Sequence, residues 1–191
     1  MAALLATLLL GFGVGAGLIF AFAGLSHWRH RRLLVGVVGN YRLLPDGLIA
    51  PVAGLLPWSE MAVGLALVLA PLAAGVGRGG ALAGGGLLLL FGWAMAVNLR
   101  RGRGFIDCGC GHDTLRQPLS WALVARNVVL ALPLLALAAM GPVLPDGMAL
   151  IAAMVAGLAV WLGYHLFNAL AALQSSPLSA SLHPIRLPTR R

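Results

Sequence analysis

Residues 79–99 read GGALAGGGLLLLFGWAMAVNL, an uncharged apolar stretch that lies between Arg78 and the pair Arg100-Arg101. At about 1.5 Å per residue, a helix over this stretch is about 30 Å long, which matches the hydrocarbon core of a bilayer. Flanking arginines favour the lipid headgroups and would mark its two ends. The stretch therefore predicts a transmembrane helix.

Four further apolar runs have a similar length and composition. They cover residues 2–25, 48–72, 119–140 and 147–173. The chain of 191 residues is 60% hydrophobic and 9% charged, with a mean hydropathy of +0.94, which is too apolar for a soluble domain with a polar surface. We therefore predict an all-α integral membrane protein, a bundle of four to five transmembrane helices with five favoured, forming a single domain over residues 1–173. The Ser/Pro/Arg-rich residues 174–191 are predicted to be a disordered tail.

The first apolar run has two interpretations, a signal peptide and a retained span. Residues 21–23, AFA, resemble a cleavage site, but the run has no basic region before it and its uncharged stretch exceeds the roughly 7–15 residues of a signal sequence. A retained span is therefore predicted. Within it, Gly11 and Gly15, and Gly13 and Gly17, form two overlapping pairs at the spacing that lets helix backbones approach closely in lipid.

Residues 29–45, RHRRLLVGVVGNYRLLP, combine arginines with an apolar run that is too short to span a bilayer. This composition predicts a short helix in the membrane interface after the first span, with Tyr41 and Arg42 near the lipid headgroups. Pro51 and Pro57 interrupt the second span, and Pro57 is expected at the first turn of a helical segment.

The positive charge of the chain comes from thirteen arginines, and the formal net charge is +8. Because the arginines cluster between the apolar runs, they are interpreted as topology signals and contacts to membrane lipids, and nucleic acid is not an expected partner. The first connection, the third connection and the tail carry most of them. These segments are therefore assigned to the cytoplasmic side of the inner membrane, which places the N-terminus outside and the C-terminus inside.

The two cysteines, Cys108 and Cys110, lie in the stretch FIDCGCGHD at residues 105–113. A bridge between them would close almost no loop, so it would remove almost no entropy from the unfolded chain and could not staple the fold. Three alternatives stay open: a thiol pair that exchanges electrons, a metal site, and no chemistry at all.

Redox exchange is favoured by the surroundings of the pair. Nearby arginines favour the thiolate, which is the reactive form. Gly109 and Gly111 leave room for a partner's sulfur and permit a short, strained bridge, and strained bridges exchange readily. The metal alternative would use Cys108, Cys110 and His112. Its cysteines are closer together than in most zinc sites, and a second ligand pair would have to come from another copy of the chain.

Several polar residues lie inside the predicted spans. Glu60 is costly at its depth unless it is paired, so it is either a packing residue with a satisfied carboxylate or a proton relay or ion pair with Arg126. Asn98 and Asn127 are interpreted as interhelical hydrogen-bonding groups. The stretch 161–168, WLGYHLFN, is expected to form an aromatic belt at the membrane interface.

Five short stretches together resemble the methylamine-utilisation protein MauE family, within the wider DoxX-like membrane proteins. They are NYRLLP at 40–45, LPWSE at 56–60, F-x6-NLRRG at 91–102, IDCGCG at 106–111 and ARN at 125–127. The likeness covers about residues 1–140, and its most specific part is IDCGCG followed by RN.

The resemblance implies a role in making or maintaining disulfides in exported proteins, as in maturation of the small subunit of methylamine dehydrogenase, alongside a thioredoxin-like partner. It implies that Cys108 and Cys110 are the redox pair. Glu60, Arg126 and Asn127 would then be supporting polar groups. The predicted cytoplasmic side of the cysteines and an exported client lie across the membrane from one another, so electrons would cross it or the loop would re-enter it.

The resemblance does not decide the cofactor or the role of His112. No cofactor is certain, and a quinone is compatible with the expected chemistry. His112 stands where members of the family often have an aromatic residue, which leaves a metal or acid–base role for it open. The alternative function is a non-catalytic DoxX-like assembly or anchoring subunit, which could act as a homodimer and hold a metal at the Cys/His loop.

Overall fold

The computed structural model describes residues 1–109, 117–140 and 145–174. Its helices are α1 (Ala2–Arg29), α2 (Arg31–Asn40), α3 (Asp46–Val68), α4 (Ala74–Arg100), α5 (Trp121–Met140) and α6 (Gly147–Gln174). All except α2 are long and apolar enough to cross a membrane. The predicted fold class is therefore confirmed for the described residues: a multi-pass all-α membrane protein with five spanning helices and a short helix after the first. The predicted tail beyond residue 174 lies outside the described residues, and the single domain over 1–173 stays a prediction.

Helix α3 runs without interruption through Pro51 and Pro57, so the expectation that Pro57 begins a helical segment is wrong. Proline removes one backbone hydrogen bond, but close neighbouring helices make this tolerable within a membrane bundle. Such a neighbour is present, because Gly24 of α1 lies directly against the Pro57 carbonyl. The helix ends at Val68, shortly before Pro71, whose ring would clash with a continuing helix.

Helix α1 is central and packs against α3, α5 and α6. Its glycines permit this: a Cβ on Gly15 would lie 2.5 Å from the carbonyl oxygen of Gly157, and one on Gly17 would lie 2.9 Å from that of Gly64. Gly11 likewise faces the backbone of α6. The close helix approach predicted from the glycine spacing is confirmed. We call these contacts the glycine interface; its residues are Gly11, Gly15, Gly17, Gly64 and Gly157.

The remaining spans differ in how closely they pack against their neighbours. Helix α4 packs against α3 and α5. Within the described residues, α5 and α6 do not pack backbone to backbone, and a gap of about 490 Å³ lies between them. Its lining residues include Arg126, Val129, Tyr164 and Phe167. One side of the bundle is therefore open between two helices.

The connection between α4 and α5 doubles back on itself. The Cys108 N–H donates to the Gln117 carbonyl at 2.9 Å, and the Leu119 N–H donates to the Ile106 carbonyl at 3.1 Å. Ile106, Cys108 and Leu119 also pack with Met95 of α4 in a small buried cluster. These contacts hold Cys108 against the end of the helix bundle.

Candidate functional site

We call the connection between α4 and α5, which contains Cys108, the cysteine loop. A cavity of about 730 Å³ lies between the helices at the end of the bundle that carries this loop. Most of its wall is apolar. Its polar lining residues are Ser26, His27, Tyr41, Glu60, Cys108, Gln117, Arg126, Asn127, Tyr164, His165 and Asn168. The residues predicted from the sequence as site residues that line it are Glu60, Cys108, Arg126 and Asn127. The fold thus brings together groups from three separate parts of the chain.

Cys108 is held on several sides and is only 7% exposed. Its thiol donates to the Gln117 Oε1 at 3.7 Å, and its carbonyl accepts a hydrogen bond from the Tyr41 hydroxyl at 3.1 Å. The next residue, Gly109, has φ +76°, and a Cβ there would lie 2.8 Å from a methyl group of Val37. Glycine is therefore required at 109 for both conformation and space.

Glu60 is 2% exposed and is paired with a residue that the sequence did not indicate. Its Oε2 lies 2.6 Å from Nδ1 of His27, at the end of α1. The other ring nitrogen, Nε2, lies 2.9 Å from the carbonyl oxygen of Gly109. A continuous hydrogen-bonded chain therefore joins α3, α1 and the cysteine loop.

The hydrogen bonds of His27 define where its protons are. A carbonyl oxygen only accepts, so the bond to Gly109 requires a proton on Nε2. The short contact between Nδ1 and Glu60 then contains one proton, located on the ring or on the carboxyl group. In both cases the pair has no net charge, which lowers the cost of placing two ionisable groups among apolar helices.

Arg126 joins α5 to α6. Its guanidinium donates to the Asn168 Oδ1 and, at 3.1 Å, to the Asn127 Oδ1. It also lies over the ring of Tyr164, 5.0 Å from the ring centre, a favourable cation–π geometry. The prediction of an aromatic belt over residues 161–168 is therefore wrong in part. The ring of Tyr164 and the amide of Asn168 contact the guanidinium of Arg126 and line the cavity.

Other polar groups near the cysteine loop stabilise the fold. The Asn98 amide donates to the carbonyl oxygens of Tyr41 and Ala94, each at 3.1 Å. The Arg103 guanidinium donates to the Asn98 Oδ1 at 3.0 Å and to the Asn40 carbonyl at 2.8 Å. These bonds connect the end of α2 to α4. The predicted interhelical role of Asn98 is therefore confirmed. Arg103 therefore binds carbonyl groups at the end of α2.

Two of the predicted site residues, Cys110 and His112, lie outside the described residues. Among the residues that are described, no three His, Cys, Asp or Glu side chains come together as a metal site would need. The redox pair and the metal alternative both involve the undescribed part of the loop, so both stay predictions.

Comparison with known proteins places this arrangement in a family. The profile described as methylamine utilisation protein MauE matches residues 2–140. The chain belongs to the MauE family. This confirms the resemblance drawn from the five short stretches, and the matched region contains Glu60, Cys108, Arg126 and Asn127.

Individual MauE proteins match over most of the chain. The methylamine utilization protein MauE of Paracoccus denitrificans is 40% identical over 168 residues, which cover 85% of this chain and 88% of that protein. The protein of the same name from Paracoccus versutus is 43% identical over 167 residues, 86% of this chain and 88% of the relative. The one from Methylorubrum extorquens is 43% identical over 128 residues, 67% of each chain. No solved structure shows a significant match to the chain.

Sequence reasoning did not assign seven of the polar lining residues of the MauE cavity to the site: Ser26, His27, Tyr41, Gln117, Tyr164, His165 and Asn168. His27 lies just before a cluster of arginines, so its sequence surroundings are those of an ordinary residue at the membrane interface. Gln117 lies in the connection between α4 and α5, where no periodic pattern indicates which side chains are buried. The usable signal for His27 was the cost of an unpaired Glu60, which requires a partner on a neighbouring helix.

Proposed function

We propose that this MauE family protein is a thiol/disulfide redox protein of the cytoplasmic membrane. It would serve methylamine utilisation through the maturation of exported disulfide-containing proteins, with Cys108 and Cys110 as the redox pair. The observation that carries this proposal is the placement of the Cys108 thiol on the cavity that also contains the Glu60–His27 pair. A structural role alone would not need an ionisable pair beside a buried thiol.

The exchange itself requires no other cofactor. A thiolate of the reduced thioredoxin-like partner attacks the Cys108–Cys110 disulfide and forms a mixed disulfide, and the partner's second thiolate then releases the Cys108/Cys110 pair as a dithiol. The partner ends as a disulfide, and two electrons and two protons pass from it to the pair. The oxidised partner then oxidises a client dithiol by the same exchange, and an electron acceptor returns the Cys108/Cys110 pair to the disulfide.

The polar groups around the cavity would support this exchange. A thiol must lose its proton before it attacks, and Glu60 with His27 forms a proton-holding pair at the same cavity. Arg126 contributes a positive charge that favours a thiolate, and its bond to Asn127 holds it in position. The distribution of arginines supports an N-terminus outside and a C-terminus inside.

The redox state of the cysteine pair tests the proposal. Cells are quenched with acid, and thiols are alkylated with a heavy maleimide with and without prior reduction. The pair should shift towards one state when the thioredoxin-like partner is deleted. The Cys108→Ser and Cys110→Ser variants should each lose client disulfides at normal membrane abundance. Ser59→Ala, a small change on the same bundle at a hydroxyl that donates to the Leu56 carbonyl within α3, is the matched control.

A non-catalytic assembly or anchoring subunit is the second candidate. It is favoured by α6, in which only 11% of an apolar 18-residue stretch is buried inside the bundle. Full client maturation by the Cys108→Ser/Cys110→Ser double variant would support this candidate and contradict the redox proposal.

A further inference from the structure

We propose that the 730 Å³ cavity binds the headgroup of an isoprenoid quinone, which accepts the electrons of the cysteine pair. The inference rests on the proposed redox function and goes beyond it, since it names the electron acceptor and the place where that acceptor binds. It also assigns a direction: electrons flow from client thiols to the membrane quinone.

The size and walls of the cavity fit such a ligand. Its volume lies within the roughly 300–1,000 Å³ typical of small-molecule sites, which are mostly apolar with a few polar groups. Phe20, Phe91 and Trp93 contribute aromatic surface to its wall. A planar, uncharged ring with an apolar tail matches this lining.

One buried hydrogen-bond donor on a residue of the cavity wall has no partner among the described residues. The Gln117 side chain lies on the wall, the residue is 3% exposed, and its Nε2 has no hydrogen-bond partner among the described residues. A buried amide that lacks a partner destabilises the fold, so the site favours a ligand that accepts hydrogen bonds. The guanidinium of Arg126, which is bonded to Asn127 and Asn168, places a positive charge on the same wall. The two carbonyl oxygens of a quinone are acceptors of this kind.

The charge of the cavity disfavours a phosphate group. Glu60 and His27 form a pair with no net charge, which leaves Arg126 as the cation on the described part of the wall. Phosphate sites usually combine several cationic groups or backbone N–H groups, because a phosphate carries more charge than one arginine balances. A neutral acceptor such as a quinone therefore fits better than a phospholipid headgroup.

The open side of the bundle gives a membrane-soluble ligand a route. The gap between α5 and α6 shares Arg126 and Tyr164 with the cavity. An isoprenoid tail could leave through this gap into the lipid while the ring stays beside the polar groups. A water-soluble ligand would gain nothing from an opening that faces the bilayer.

The redox step balances within these groups. The thiols of Cys108 and Cys110 lose two electrons and two protons as the S–S bond forms. The quinone takes up two electrons and two protons and becomes a quinol. The pair of Glu60 and His27 holds an exchangeable proton at the cavity and can pass protons during this step.

Direct binding tests the inference apart from the chemistry. The full chain, purified in detergent, is titrated with decylubiquinone, and quenching of tryptophan fluorescence is followed. Saturable binding is expected, with affinity lowered about tenfold or more in Arg126→Ala and in Gln117→Leu, since Gln117→Leu loses a hydrogen bond to the ring and Arg126→Ala loses the positive charge beside it. Arg100→Ala, at an exposed arginine outside the cavity, is the matched control and should bind normally. Thermal unfolding of each variant checks that it is folded.

The Cys108→Ser/Cys110→Ser variant separates the two proposals, because it should still bind decylubiquinone although it cannot reduce it. Binding without thiol-dependent quinone reduction in the wild type would contradict the proposed electron transfer and leave the quinone site. Thiol exchange without quinone binding would overturn the quinone site and leave the redox function. Displacement of decylubiquinone by dioleoylphosphatidylcholine at comparable concentration, with no effect of Arg126→Ala, would show a lipid site and overturn the inference.

Discussion

Helix backbones touch at the glycine interface, whereas at the cysteine end the same helices enclose a cavity of about 730 Å³. Small residues permit the first arrangement, because helices in lipid gain stability mainly from close van der Waals contact. The second arrangement leaves buried polar groups that must satisfy one another. The difference indicates that backbone contact stabilises one part of the bundle, while hydrogen bonds and the Glu60–His27 pair stabilise the other.

The largest expected effect comes from breaking the pair at the cavity. His27→Leu leaves the buried Glu60 carboxyl without its partner, and we expect the free energy of unfolding to fall by about 3 kcal/mol. The double variant His27→Leu/Glu60→Leu removes both ionisable groups and should recover most of this loss. Chemical unfolding of the wild type, His27→Leu, Glu60→Leu and the double variant in detergent forms a double-mutant cycle. It measures the coupling energy between the two residues. Simple addition of the two single effects would contradict the pairing.

A smaller effect is expected at the glycine interface. In Gly64→Ala the new Cβ would lie 2.6 Å from the backbone nitrogen of Ala21, so α1 and α3 must separate, at a cost of about 2 kcal/mol. Gly54→Ala on the same helix meets nothing within 4 Å and should stabilise the protein by up to about 1 kcal/mol, because alanine favours helix. Thermal unfolding should therefore change in opposite directions for the two variants. A shift of the same sign in both would show that α1 and α3 do not pack as described.

The smallest expected effect concerns the support of the cysteine loop. Tyr41→Phe removes the hydrogen bond to the Cys108 carbonyl and should cost about 1 kcal/mol. Because this bond holds the loop, the Cys108 thiol should also react faster with N-ethylmaleimide in a Cys110→Ser background. Thr7→Val, which removes an exposed hydroxyl bonded to its own helix, is the control and should change neither quantity. An unchanged alkylation rate in Tyr41→Phe would mean that the loop is held by other contacts.

The number of spans and the glycine contacts could be predicted from the sequence, because hydropathy and small-residue spacing report them directly. Gly109 could also be anticipated, since a tight loop beside a thiol needs a residue without a side chain. The family resemblance named Glu60, Arg126 and Asn127, and the cavity now gives these residues a common location.

The partners of the polar groups could not be predicted, for a physical reason. A spanning helix that is apolar on all sides has no hydrophobic face that indicates which side chains point inward. The sequence therefore offered Arg126 as the ion-pair partner of Glu60, whereas the salt bridge found for Glu60 is with His27. The same lack of periodicity led to the membrane-belt interpretation of Tyr164, which lies over Arg126.

The bond from His27 to the Gly109 carbonyl also couples a protonation state to a loop position. If the ring lost its Nε2 proton, two lone pairs would face each other at 2.9 Å, and the attraction between α1 and the loop would become repulsion. Gly109 follows Cys108 directly, so this change would act on the backbone next to the sulfur. The protonation of His27 would thus decide whether the ring attracts or repels the backbone next to Cys108.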